Sequence, residues 1–218
     1  MHRSTSDQIT RTIVFICITI SGLLFLAFNN AHAADADIAR GEKLSQTCLG
    51  CHGAPGLRNP GPVYLIPKVG GQHPEYIILA LQAYKAKTRS HGTMQAQAAN
   101  LSDQDMIDIA AFFNSLEDSK PHNNTNQTLA NKGKELSAVC AACHGATGDG
   151  EITAYPKLAG QYESYIAQSL KDYRSGEREN IIMSGFSADL TIDQIEALSA
   201  WFAGQSGSLA APQSVLFK

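Results

Sequence analysis

Two short stretches carry residue types that could do chemistry: Cys48-Leu49-Gly50-Cys51-His52 and Cys140-Ala141-Ala142-Cys143-His144. C-x-x-C-H is the attachment signal of c-type haem. On a helical turn, residues three and four apart share a face. Two thiols at this spacing reach the two vinyl groups of one porphyrin as thioethers, and the adjacent histidine points its imidazole at the iron. Two other chemistries use paired cysteines. A thioredoxin-like redox pair belongs in a βαβ context, and no strand pattern flanks either motif. A four-cysteine zinc site does not require a histidine after both pairs.

The motifs sit inside a repeat. Arg40-Gly41-Glu42-Lys43-Leu44-Ser45 answers Lys132-Gly133-Lys134-Glu135-Leu136-Ser137 at an offset of 92. Pro67-Lys68-Val69 with Gly71-Gln72 answers Pro156-Lys157-Leu158 with Gly160-Gln161 at an offset of 89, and Tyr76 and Tyr84 answer Tyr165 and Tyr173. Leu101 answers Leu190, and Phe112-Phe113 answers Trp201-Phe202. The change of offset places three extra residues in the first copy, between His52 and Pro67. Asn59-Pro60-Gly61-Pro62 is the natural place for them, because loops absorb insertions. Two copies mean a duplicated domain rather than a solenoid.

An iron held by one histidine has a sixth position, and its occupant separates carriers from catalysts. Met94 and Met183 occupy equivalent repeat positions downstream of the two motifs, each on an expected loop that can fold back over a haem. Met106 answers Ile195 on an apolar helix face and reads as core. Thioether ligation at Met94 and Met183 would raise the potential and fill the coordination sphere. His73, His91 and His122 have no histidine at the equivalent position. His91 lies near Met94, and a solvated loop residue is its plain reading.

The elements that must position these groups read as helices. The stretch before each motif has Leu and Ala at helical spacing with a glycine, Gly41 or Gly133, that costs helix stability and permits close approach of another helix. Pro74 to Lys87 starts with proline and places Ile77, Ile78, Leu81 and Tyr84 on a stripe; Gln161 to Arg174 is its counterpart. Ser102 with Asp105, and Thr191 with Gln194, mark the starts of two final amphipathic helices. Asp118 to Thr128 is polar and without period, and reads as a linker. No segment alternates as a strand does.

The remaining composition is ordinary. The chain has 218 residues, 44% hydrophobic and 17% charged, with a formal charge of -3. That excludes a wholly disordered chain and gives no basic surplus for nucleic acid. Arg3 and Arg11, the uncharged run Ile13 to Phe28, and Ala31-His32-Ala33 read as a secretory signal cut after Ala33. An uncleaved anchor is the alternative, but the run is short for a bilayer. Cys17 leaves with the signal, so the mature chain keeps four of the five cysteines and works outside the cytoplasm.

With these motifs in hand, the chain resembles the dihaem cytochromes c of the cytochrome c4 type, two class I cytochrome c domains in tandem, from about residue 37 to about residue 204. The resemblance implies an all-α fold, each domain wrapped around one covalently attached haem c. It implies thioethers at Cys48, Cys51, Cys140 and Cys143, and axial pairs His52/Met94 and His144/Met183. It also implies that the Pro67 and Pro156 carbonyls accept from the axial imidazoles, fixing their orientation. The expected layout is a signal peptide over 1–33, a first domain over 34–118, a linker over 119–128, a second domain over 129–206 and a tail over 207–218. The three-residue insertion departs from the pattern only in the loop before Pro67. Tyr84, Tyr173, Gln72, Gln161, Lys68 and Lys157 are weaker candidates for bonding haem propionates, equally readable as surface or packing.

The expected role is a periplasmic electron carrier, not an enzyme. The resemblance suggests a quinol-oxidising complex as donor and a terminal oxidase as acceptor, with no nucleic-acid partner and with peripheral membrane association left open. Two rivals stand beside it: the dihaem cytochrome subunit of a flavoenzyme such as a sulfide dehydrogenase, and a free-standing haem enzyme such as a dihaem peroxidase. The peroxidase needs an open or displaceable ligand, and both copies have a methionine to hand.

Overall fold

The computed structural model describes residues 35–116 and 125–212. The expected signal segment with Cys17, most of the expected linker, His122 and the last six residues lie outside the described residues. From Ala36 onward the chain forms one unit.

Each half builds the same helical set. In the first, α1 (Ile38–Leu44) and α2 (Gln46–His52) lead through the hairpin β1 (Arg58–Pro60) and β2 (Val63–Leu65) to α3 (Pro74–Lys85), α4 (Gly92–Ala98) and α5 (Asp103–Asn114). In the second, α6 (Gln127–Leu136), a 3₁₀ turn (Ser137–Val139) and α7 (Ala141–His144) lead to α8 (Glu163–Ser175), α9 (Ile181–Ser187) and α10 (Ile192–Ala203). The all-α reading holds, with one correction. The first-copy insertion is a short antiparallel hairpin, with Arg58 opposite Leu65 and Pro60 opposite Val63. Strands of three residues are too short to show alternation. A second difference is at the linker: α6 starts at Gln127, because the Asn126 side chain accepts from the Leu129 amide and caps it.

The terminal helices start where their caps dictate. Ser102 Oγ accepts from the Asp105 amide while the Asp105 carboxylate accepts from the Ser102 amide. Thr191 and Gln194 repeat this reciprocal pair. Such boxes satisfy two otherwise orphaned N–H groups. Downstream, α5 buries Met106, Ile109, Phe112 and Phe113, and α10 buries Ile195, Leu198 and Phe202. Each of these side chains contributes roughly 1.5–3 kcal/mol when removed from water. Met106 is fully buried, as core.

The first helix of each half crosses its last helix at a glycine. A Cβ on Gly41 would lie 2.0 Å from the Asp108 carbonyl oxygen, and one on Gly133 would lie 1.9 Å from that of Ala197. No side chain larger than hydrogen fits at either crossing.

The halves are joined by a seam with an approximate two-fold character. Gln161 Oε1 accepts from the Lys68 amide at 2.9 Å, and Gln161 Nε2 donates to the Lys68 carbonyl at 2.8 Å. Eighty-nine residues earlier, Gln72 does the same to Lys157, at 2.8 and 3.1 Å. Each glutamine side chain thus imitates a backbone pair, satisfying donors and acceptors that burial would otherwise strand. His73 adds a bond from Nε2 to the Gly150 carbonyl. Leu209 and Ala210 strap this seam: Ala210 and Gly70 exchange backbone hydrogen bonds at 2.9 and 3.0 Å, and Leu209 is fully buried. Among the described residues, no helix is long and apolar enough to cross a membrane.

Candidate functional site

Helix α2 is set down by its neighbours. Ser45 ends α1 and begins α2, and buried Leu49 anchors α2 to the first core. That leaves Cys48, Cys51 and His52 turned to a common space, since positions three and four apart share a face. In the second half the 3₁₀ turn and α7 do the same for Cys140, Cys143 and His144. No disulfide joins these four cysteines. Burial pushes the Cys48 and Cys140 thiols up, whereas a thioredoxin-like pair needs a lowered one. Among the described residues, no group of three or more His, Cys, Asp or Glu could hold a metal ion, so there is no four-cysteine zinc site.

The two histidines are oriented alike. His52 Nδ1 donates to the Pro67 carbonyl at 2.8 Å, and His144 Nδ1 donates to that of Pro156 at 2.9 Å. Burial lowers the affinity of both imidazoles for a proton, against the opposing pull of these carbonyls. Each ring is therefore held neutral, with its Nδ1 proton committed, and the other nitrogen is the one a metal would take.

Met94 and Met183 are not on loops. Each lies in the first turn of a seven-residue helix, α4 or α9. The reason is capping: His91 Nδ1 accepts from the Met94 amide at 3.2 Å, and Asn180 Oδ1 accepts from the Met183 amide at 2.9 Å. His91 and Asn180 stand 89 residues apart, so the histidine does have an equivalent, in role rather than type. These helices are too short to carry an apolar period.

One continuous cavity of about 730 Å³ is lined by all eight residues, Cys48, Cys51, His52, Met94, Cys140, Cys143, His144 and Met183. Its remaining wall is largely apolar, with Ile77, Leu81 and Ile109 from one half and Ile166, Leu170 and Leu198 from the other. A large flat apolar ring system fits such a lining, and the seam offers cationic groups to acidic substituents. Arg89 and Arg178 both line the cavity and pair as antiparallel bridge residues. Arg89 is only 9% exposed, and neither arginine has a salt bridge among the described residues. Asp172 acts on both arginines from the same seam, and further negative charge would be favoured there, since an uncompensated buried charge is costly.

The arginines are where sequence reasoning fell short. Gln72 and Gln161 bond the Lys157 and Lys68 backbones across the seam, and all four residues also line the cavity. Arg89 and Arg178 line it beside them, and their common offset of 89 was an available signal that the sequence reading did not use.

Comparison with known proteins agrees with this architecture. The cytochrome c family model matches twice, over residues 38–117 and 130–205. Cytochrome c4 of Pseudomonas aeruginosa is 35% identical over 199 residues, covering 86% of this chain and 98% of that protein. The crystal structure of reduced recombinant cytochrome c4 from Pseudomonas stutzeri superposes with a TM-score of 0.68 at 32% identity, covering 78% of this chain and 100% of that one. A thiosulfate dehydrogenase electron acceptor of Thiomonas intermedia is 27% identical over 186 residues, covering 79% of this chain and 85% of its own. The chain therefore belongs to the cytochrome c family, as a two-domain member of the cytochrome c4 type with two covalently bound haem c groups and a role in electron transfer.

Proposed function

We propose that this chain is a periplasmic electron carrier in which His52 with Met94, and His144 with Met183, ligate the two irons. The observation that carries this reading is the single cavity lined by both sets at equivalent repeat positions. When bound, each haem supplies an iron that alternates between the ferric and ferrous states. The chain does the rest. Cys48 and Cys51, and Cys140 and Cys143, tether the porphyrins. Pro67 and Pro156 hold the imidazoles in one tautomer and raise their basicity as ligands. Met94 and Met183 would serve as the second protein ligands to the irons and leave no place for substrate, which favours transfer over catalysis. Arg89 and Arg178 would take the haem carboxylates.

For partners we propose redox proteins: a quinol-oxidising complex or a dehydrogenase of small substrates as donor, and a terminal oxidase as acceptor. The relative named as a thiosulfate dehydrogenase electron acceptor supports a dehydrogenase in the donor role. It also favours a second reading, in which the chain serves as the non-catalytic cytochrome of a dehydrogenase complex. Export follows the Ala31-His32-Ala33 cleavage pattern.

Spectroelectrochemical titration of the holoprotein tests the carrier reading. Two low-spin, six-coordinate haems of positive potential are expected. A high-spin ferric haem at either site, or unchanged spectra in both Met94→Ala and Met183→Ala, would overturn the ligand assignment. Purification in a stable complex with a flavoprotein would decide for the subunit reading.

A further inference from the structure

The bond that orients each imidazole does not end at the proline. The carbonyl of Pro67 and the amide of Lys68 belong to one peptide group, whose resonance couples its C=O to its N–H. His52 Nδ1 donates to that carbonyl at 2.8 Å, and the Lys68 amide donates to Gln161 Oε1 at 2.9 Å. In the second half, His144 Nδ1 donates to the Pro156 carbonyl at 2.9 Å, and the Lys157 amide of the same peptide group donates to Gln72 Oε1 at 2.8 Å. Each chain of bonds thus starts at the imidazole of one half and ends on a glutamine of the other.

Both glutamines are buried, and their orientation is fixed. Each side-chain oxygen accepts a second amide, Gln161 Oε1 from Tyr162 and Gln72 Oε1 from His73, both at 3.0 Å. Two N–H donors at one end of the side-chain amide identify that end as the oxygen. The amino end donates to the Lys68 or Lys157 carbonyl. An oxygen so held keeps the peptide N–H polarised, and polarising one member of a chain of hydrogen bonds strengthens the next. The Pro67 and Pro156 carbonyls are the next members. A stronger acceptor at Nδ1 raises the basicity of the imidazole as a ligand.

We infer that Gln161 tunes the iron held by His52, and Gln72 the iron held by His144, each as a positioning residue acting through the peptide group that follows Pro67 or Pro156. The inference rests on the ligand reading above. It makes the potential of each half depend on a side chain from the other half. A more basic imidazole favours the ferric state, so each glutamine holds the potential of the opposite haem down. A merely structural role predicts the reverse sign. If the glutamines only closed the seam, removing one would admit water, and a wetter haem also favours the ferric state, so the potential would fall.

Redox titration of the holoprotein followed by NMR, which gives a midpoint for each haem, tests this. Gln161→Met is expected to raise the first haem's potential by a roughly threefold change in its one-electron equilibrium, about 28 mV at roughly 59 mV per tenfold. The His52 Nδ1 proton is expected to move upfield as its bond weakens, while the second haem keeps its values. Gln72→Met is expected to do the same to the second haem and to His144, leaving the first. Gln161→Glu keeps an acceptor for the Lys68 amide, so it is expected to hold the His52 proton downfield, and it tests the same bond if the methionine variant does not fold. Thr153→Val removes a different bond between the halves, from the Thr153 hydroxyl to the Glu75 carboxylate, and is expected to move neither proton and neither potential. No shift, a fall in potential, equal movement of both haems, or an upfield His52 proton in Gln161→Glu would each overturn the inference. So would a matching shift in Thr153→Val. The ferric wild type separates the two levels: hyperfine-shifted signals from two iron-bound imidazoles keep the ligand reading even where the glutamine variants refute the crossed effect, and their absence removes both.

Discussion

Arg89 and Arg178 are bridge partners that each donate to a tyrosine of the opposite half, Arg89 to Tyr165 at 2.8 Å and Arg178 to Tyr76 at 3.0 Å. Each also lies over a tyrosine ring of its own half, Tyr84 or Tyr173, at 4.5 and 4.4 Å. The seam is therefore a pair of exchanged arms, and its positive charge is felt by the phenols. Burial pushes Tyr76 up, but the two guanidiniums outweigh it and bring it down to about 8.

That phenol reports whether haem carboxylates occupy the arginines. If they do, the positive charge is neutralised and Tyr76 in the holoprotein returns toward the ordinary value of about 10. Ultraviolet titration of the holoprotein is expected to show no tyrosine ionising near pH 8. Arg178→Gln removes a positive charge that favours the ferrous state, so a midpoint potential is expected to fall by up to roughly 60 mV, a tenfold change in a one-electron equilibrium. A phenol ionising near pH 8 in the holoprotein, together with unchanged potentials in the variant, would separate the arginines from the haems.

The caps of the methionine helices make a second prediction. Asn180 accepts from the Ile182 and Met183 amides. Asn180→Ala is expected to cost about 1 kcal/mol of stability, the usual loss for a cap. Because the cap fixes the turn that carries Met183, the second haem alone is expected to bind added imidazole or cyanide more readily. Equal ligand binding by wild type and variant would show that packing, not the cap, positions Met183.

These particulars mark what could be read from residue order. The capping boxes at Ser102 and Thr191, the apolar stripes of α5 and α10, and the cysteine motifs are local patterns, so they were legible. The hairpin at Arg58–Leu65 was not, because its pairing depends on a register that three-residue strands do not encode. Nor was the helical state of Met94 and Met183, which hangs on one side-chain acceptor at His91 and Asn180. The glutamine exchange between Gln72 and Gln161 was hidden for another reason: the paired residues lie about ninety positions apart, and only the fold brings them together.

The glycine crossings predict a large mechanical effect. Gly41 and Gly133 sit where a Cβ would enter the carbonyl of Asp108 or Ala197. The obstacle is backbone, which cannot swing aside. Gly133→Ala and Gly41→Ala are each expected to destabilise by about 3 kcal/mol, the upper end for overpacking. Chemical denaturation of the holoprotein measures this as a lower midpoint. A variant with an unchanged midpoint would mean that the helices can separate freely.

Acid should act on the first half before the second. Asp108, whose side chain is 1% exposed, accepts from the Asp37 amide and from Gln104 and pairs with Arg40, which also pairs with Asp105. Burial pushes Asp108 up, but the Asp37 amide, Arg40 and Gln104 outweigh it and hold the carboxyl below its ordinary range. The equivalent positions in the second half are Ala197, Gln194 and Lys132, so the cluster has no counterpart there. A carboxylate depressed in the fold contributes stability that is complete above its unfolded value of about 3.9 and is lost as pH falls through the folded one. Thermal melts are therefore expected to show no change from this cluster between about pH 7 and 5, and a fall below about pH 4. Asp108→Asn is expected to cost roughly 1–3 kcal/mol at neutral pH, the scale of hydrogen bonds to a charged group. It should also make the acid fall shallower, because the variant has less ionised-state stability to lose. Absorbance of the first haem, tracked separately by its potential, should change first on acidification. Identical acid midpoints for wild type and Asp108→Asn would show that the Arg40 cluster does not set acid stability.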